Sequence, residues 1–283
     1  MNPHANRAIV RTDDALRAGL AAVWLLEGLI PKILFVRPAE IDAFASASFL
    51  PINPAAILPL MGAFEALLAL LLLAGVAVVP VLWIMLTLLA FFTADLLFLR
   101  PDLLLDPFGG LVKNAGLLGA TAALLFLRGR AFGPLLRLVG RLRSDLLNEI
   151  GADAIYRQQA TGARAMGLGE VLVSFAETER EHASAVGDAL GRVGARGPIL
   201  GGAVALASTI FGWLLARTGD RTMLRFDLVL ERLAVRSYAA SAAQFQAWGE
   251  DLLAAEFRLM AAAEDDHARR IRELLAGLRA APA

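Results

Sequence analysis

The chain has 283 residues, 58% of them hydrophobic, with 27 basic and 27 acidic side chains and a formal net charge of zero. That balance supplies no bulk positive field for nucleic acid, and the mean hydropathy of +0.61 lies well above the soluble norm. No cysteine is present, which excludes disulfides, iron–sulfur clusters and thiolate zinc sites, so a metal here must bind through oxygen and nitrogen.

His4, Arg7, Arg11 and Arg17 lead into the first apolar run, and no small-residue cleavage site follows it, so the N-terminus reads as an uncleaved anchor. Four apolar segments follow: 15–36, interrupted by Glu27, Pro31 and Lys32; 55–79, with Glu65; 80–99, with Asp95 near its end; and 109–127, with Lys113 near its start. Each approaches the ~20 residues that a helix needs to cross a bilayer. The expectation is a bundle of four transmembrane helices over residues 1–128. Arg7, Arg11 and Arg17 precede the first span, and Arg128, Arg130, Arg137, Arg141 and Arg143 follow the fourth. An even number of spans puts both clusters on one side, which the positive-inside rule makes cytoplasmic. The expected location is the inner (cytoplasmic) membrane, multi-pass, with the C-terminal domain facing the cytoplasm.

Glu27, Lys32, Glu65, Asp95 and Lys113 lie near or inside these spans, and the two lysines are the only ones in the chain. Charges at such depth are costly and usually pair inside the bundle along a functional path. The alternative is that Lys32, Asp95 and Lys113 snorkel to the headgroups from helix ends. Three stretches carry a resemblance to the DoxX-like membrane family. These are the run from Trp24 through Glu27-Gly28 and Pro31-Lys32 to Phe35, Gly62-Ala63-Phe64-Glu65, and Asp106-Pro107-Phe108-Gly109-Gly110 with Lys113-Asn114. The resemblance implies a four-helix membrane bundle, one that touches quinone in some relatives.

Residues 129–143 read as a basic, Gly-containing linker, and Ser144-Asp145 as the cap of a first helix. Four long helices are expected after it, over about 144–167, 168–193, 222–248 and 251–278. They carry one ligand pattern twice. Glu149 is followed by Glu179 and His182, and Glu231 is followed by Glu264 and His267, so each half reads Glu, then Glu-x-x-His. Residues three apart share a helix face, which aims a carboxylate and an imidazole at one point. Four antiparallel helices with this set build the di-iron or di-manganese site of ferritin-like bundles. Two of the three histidines fall in the pattern, and the only two tyrosines, Tyr156 and Tyr238, each follow the lone Glu of their half by two turns. Those tyrosines are candidates for hydrogen bonding or electron gating at the metals, and equally for core aromatics. Asp227, Asp265 and Asp266 are candidate partners for the second imidazole nitrogens.

Residues 198–216 contain no charge, and hydropathy alone would make them a fifth span. A crossing there would part the two halves of the ligand set, so an apolar helical segment lying in the membrane interface is expected instead, with Trp213 at headgroup level and a lipophilic substrate guided to the metals. Carboxylates and imidazoles suit iron or manganese, and paired ferrous ions can reduce oxygen for attack on an apolar or aromatic carbon.

Residues 144–280 resemble the demethoxyubiquinone hydroxylase family, the di-iron monooxygenases of ubiquinone biosynthesis. The matching stretches are Glu149-Ile150-Gly151-Ala152 through Tyr156, Glu179-Arg180-Glu181-His182, Arg196-Gly197-Pro198, Glu231 with Tyr238, and Glu264-Asp265-Asp266-His267. The resemblance implies two iron ions held by those six ligands, and hydroxylation of a membrane-embedded polyprenyl quinol with NADH as electron source. It also implies partners among the ubiquinone-biosynthesis proteins, and it leaves a homo-oligomer open. Ser237 departs from it, since relatives often have His before this tyrosine. The competing readings are a di-iron peroxidase or quinol oxidase, and an iron sensor coupled to a quinone-interacting membrane domain. The fold class expected is all-α throughout.

Overall fold

The computed structural model describes residues 3–36, 38, 41–42, 45, 53–101, 110–129 and 132–280. Most of the 38–54 loop, the Asp106–Gly109 stretch of the DoxX-like pattern and Arg130 lie outside these. The described residues are helical, with no strand among them. They form two compact units, one of Ala8–Leu136 and one of Met1–Arg7 with Arg137–Ala283.

Four helices fall mainly in the first unit: α1 (Pro3–Leu29), extended by a π-helical turn at Ile30–Leu34, α2 (Pro54–Ala74), α3 (Val78–Leu99) and α4 (Gly110–Arg128). Asn53 starts α2, its side chain accepting from the Ala55 N–H at 3.0 Å, and left-handed Gly75 ends it. The core gathers Leu20, Trp24, Leu68, Leu72, Leu82 and Met85. Outward-facing Leu60, Phe64, Trp83, Phe91 and Phe98 leave α2 and α3 apolar on their exposed faces as well. Gly28 and Gly62 let α1 and α2 touch backbone to backbone, because a Cβ on Gly28 would stand 2.6 Å from the Gly62 carbonyl oxygen.

Of the four expected spans, two are long and apolar enough to cross a membrane: Ala55–Ala74 and Val78–Leu99, with mean hydropathies of 2.3 and 2.2. A third is reached only by joining Val112–Arg128 to the next helix across a bend. The first segment differs because its helix starts at Pro3 and takes in Arg7, Arg11, Asp13, Asp14 and Arg17. Two of the arginines used for orientation are not free cations. Arg128 donates from Nε and Nη2 to Asp13 at 2.8 and 2.6 Å, and Arg17 donates from Nε to the same carboxylate at 2.9 Å. Arg17 also reaches the Leu72 carbonyl at 2.7 Å. The charges within the apolar segments pair between helices, as their cost in an apolar setting demands. Lys32 Nζ lies 2.5 Å from Glu65 Oε1, and Lys113 Nζ lies 2.6 Å from Glu27 Oε1. One oxygen of Asp95 is buried without a hydrogen bond.

The second unit contains most of α5 (Gly133–Gly162) together with α6 (Leu168–Arg192), α7 (Gly201–Ala216), α8 (Asp220–Ala247) and α9 (Asp251–Ala280). The expected linker at 129–143 is helix from Gly133 onward. Leu135, Leu138, Val139 and Leu142 recur at helical spacing and are all buried, an apolar stripe that outweighs the arginines and glycines between them. Asp145 is therefore a buried residue in mid-helix and caps nothing.

Candidate metal centre

Helices α5 and α8 run antiparallel and are tied by polar rungs. The Tyr238 hydroxyl donates to Glu149 Oε1, and the Tyr156 hydroxyl donates to Glu231 Oε1. Gln159 Nε2 donates to Asp227 Oδ1 at 2.8 Å, and Ser237 Oγ to Asp145 Oδ1 at 2.5 Å. Positions 145, 149, 156 and 159 lie on one face of α5 because steps of four, seven and three residues return close to the same azimuth. Each tyrosine thus reaches the lone Glu of the opposite half. It occupies one carboxylate oxygen and leaves Oε2 of Glu149 and of Glu231 buried and unbonded.

Helices α6 and α9 bring the two Glu-x-x-His pairs to the same place. His182 Nδ1 stands 2.7 Å from Glu264 Oε1, 3.8 Å from Glu149 Oε2 and 3.9 Å from Glu179 Oε2. His267 Nδ1 stands 3.3 Å from Glu179 Oε1, 3.6 Å from Glu231 Oε2 and 3.7 Å from Glu264 Oε2. Two groups result, each with ligand atoms within 4.8 Å of one another: Glu149, Glu179, His182 and Glu264, and Glu179, Glu231, Glu264 and His267. Glu179 and Glu264 belong to both, so these two are the carboxylates able to bridge a pair of ions.

The donor set fits such a pair. Each of the six side chains has an inward oxygen or nitrogen that is buried without a hydrogen bond. Orphaned buried polar atoms are expensive, and six converging on one point are explained by cations that satisfy them. The electrostatics agree. Burial, with Glu179 and Glu264 adding to it, raises Glu149 well above the usual carboxylate range. Burial also lifts Glu179 to about 7 and Glu231 to about 8. Burial opposes charge on Glu264 too, but the close approach of Glu231, His182 and His267 outweighs it and holds Glu264 below the usual range. Burial alone would discharge His267, whereas Glu179, Glu231 and Glu264 lift it to about 12. A cluster of this kind keeps protons until cations replace them.

Of the candidate imidazole partners, Asp265 and Asp266 face solvent, since one or two residues from Glu264 the helix has turned away, and Asp266 pairs with Arg269. Asp227 is buried but bonded to Gln159. Asp145 was missed as a member of this ladder, although the sequence held the signal. Asp145, Glu149 and Tyr156 have the same spacing as Asp227, Glu231 and Tyr238. Burial pushes Asp145 up to about 6 and Asp227 to about 7.

The uncharged segment forms α7, sixteen residues long, or about 24 Å, short of the ~30 Å hydrocarbon core. It lies against α5 through small residues. A Cβ on Gly212 would meet the Ile155 Cα at 2.9 Å, and one on Gly162 would meet the Ala216 Cβ at 2.7 Å. Trp213 is about half exposed, with the Arg217 guanidinium 3.3 Å over its ring. Between α5, α7 and α8 lies a cavity of about 290 Å³. Glu149, Glu179, Glu231 and Glu264 reach it from the candidate-ligand side, and Val204, Phe211 and Leu233 wall it on the other.

Residues 137–232 match the family described as ubiquinone biosynthesis protein COQ7, and residues 21–122 match the DoxX-like family. The chain joins the signatures of two families. The first match takes in Glu149, Glu179, His182 and Glu231 and stops before Glu264 and His267, which the fold brings to the same cluster. Searches of curated proteins and of solved structures gave no match.

Proposed function

We propose that this chain is a membrane-bound di-iron monooxygenase that hydroxylates the ring of a polyprenyl quinol in ubiquinone-type biosynthesis. The observation that carries the reading is the cavity beside α7. It is walled by apolar side chains, bordered by the exposed Phe211 and Leu233, and floored by four of the six candidate ligands. Iron ions held by Glu149, Glu179, His182, Glu231, Glu264 and His267 would supply the electrons and Lewis acidity that activate oxygen, with manganese the alternative for this donor set. NADH as the electron source rests on the family resemblance.

The chain's own residues set the conditions for that chemistry. Tyr156 and Tyr238 hold the lone glutamates so that one oxygen of each stays directed inward. The apolar walls of α7 and α8 exclude water, which strengthens every charge interaction at the centre. Exposed Leu206, Ile210, Trp213 and Leu214 make α7 a surface that suits the membrane interface, where a lipid-soluble substrate is concentrated. The remaining flanking arginines, Arg7, Arg11, Arg137 and Arg141, favour a cytoplasmic face for this unit.

The test is expression in a bacterium whose own hydroxylase is deleted and which accumulates demethoxyubiquinone, with mass spectrometry of the lipid extract under isotope-labelled oxygen. Labelled downstream ubiquinone, lost with Glu264→Ala, is expected. Oxygen consumption with no label in any lipid would replace this reading with a quinol oxidase.

A further inference from the structure

Helix α7 is built from Gly, Ala and apolar residues, and only Ser208 and Thr209 bring hydroxyls to it. Thr209 spends its hydroxyl inside the helix, donating to the Ala205 carbonyl at 2.8 Å. Ser208 has no hydrogen bond among the described residues, and it lines the cavity that Glu149, Glu179, Glu231 and Glu264 floor. Its Oγ stands 3.0 Å from the point a Cβ on Gly151 would occupy, so the bare backbone at Gly151 makes room for the hydroxyl between α5 and α7. Ser208, Gly212 and Ala216 form a stripe of small residues along α5, but packing alone would be served as well or better by alanine. Ser208 is partly buried and lines the cavity, where a ligand's oxygen can take the place of the water its hydroxyl would otherwise bond.

We propose that Ser208 determines specificity by hydrogen bonding an oxygen substituent on the ring of the substrate, which turns one edge of that ring toward the metal-ligand floor. The cavity of about 290 Å³ is at the small end of ligand sites and suits one substituted ring. The tail of the substrate stays outside, along Phe211 and Leu233. This inference rests on the cavity being the substrate site proposed above.

The test compares 4-butylphenol with 4-butyltoluene, in which a methyl replaces the hydroxyl, as ligands of the metal-loaded full chain in lipid nanodiscs. Both are expected to bind the wild type. Ser208→Ala should weaken the phenol by roughly three- to tenfold, the range of one net hydrogen bond, and leave the toluene, the metal content and the melting temperature unchanged. Equal weakening of both ligands would show a packing residue and overturn the proposal, as would unchanged binding of both. Failure of the wild type to bind either ring would instead remove the cavity as substrate site, and this inference with it.

Discussion

Loading the centre with metal should release at least about two protons at pH 7. With Glu231 near 8 and Glu179 near 7, the metal-free site holds roughly nine-tenths and half of a proton on these two. His267, near 12, holds about one more, and burial pushes Glu149 in the same direction as Glu179 and Glu231. Two divalent cations need all of them deprotonated. Calorimetric titration of the metal-free protein with manganese, in buffers of different ionisation enthalpy, counts the protons. Affinity should rise with pH through 7 and 8 and continue to rise above them, because His267 keeps its proton to about 12, and it should fall on acidification. The stability of the metal-free protein should run the other way. Carboxylates raised from 4.5 hold more protons folded than unfolded, so stability declines as pH climbs from about 4.5 towards 8. Release of fewer than about one proton, or affinity independent of pH, would refute the electrostatic account of the site.

The two ligand groups differ in what each residue serves, so Glu149→Ala should leave one metal bound, whereas Glu179→Ala should lose both, as elemental analysis would show; equal losses would remove Glu179 as a bridge. Lys32→Met takes the ammonium partner from Glu65 and should destabilise the first unit by roughly 1–3 kcal/mol, with part of it recovered in Lys32→Met/Glu65→Leu; a double-mutant cycle on thermal stability checks this, and additive losses would deny the pairing. Gly212→Val forces a side chain into the Ile155 backbone and should destabilise by about 1–3 kcal/mol while lifting α7 from the cavity; an unchanged melting temperature would show that the helices are not in close contact.

Residue type and helical period were enough to pick out the six side chains that the fold gathers into one buried cluster. Glu-x-x-His places its two groups on one face whatever the neighbours do, and two copies among only three histidines left little room for chance. The ends of α6, α8 and α9 could be read for the same reason, since capping and turn signals are local. Orientation of charges was harder. Arg17 and Arg128 looked like flanking cations, and only the fold shows that both clasp Asp13, more than a hundred residues from Arg128 in the chain. Residues 133–143 look like a linker by their arginines and glycines, but they are helix because a leucine stripe is buried there, and that burial depends on what packs against it.

The chain by itself determined which atoms could bind metal, because that depends on side-chain chemistry and on a repeat of three or four residues. Tertiary structure alone decided that Glu179 and Glu264 are shared by both groups, that each tyrosine serves the glutamate of the other half, and that Ser208 faces a cavity. Those facts depend on the register between helices separated by loops. A shift of one residue along either helix would turn each side chain by about a quarter of a turn and part every one of these pairs.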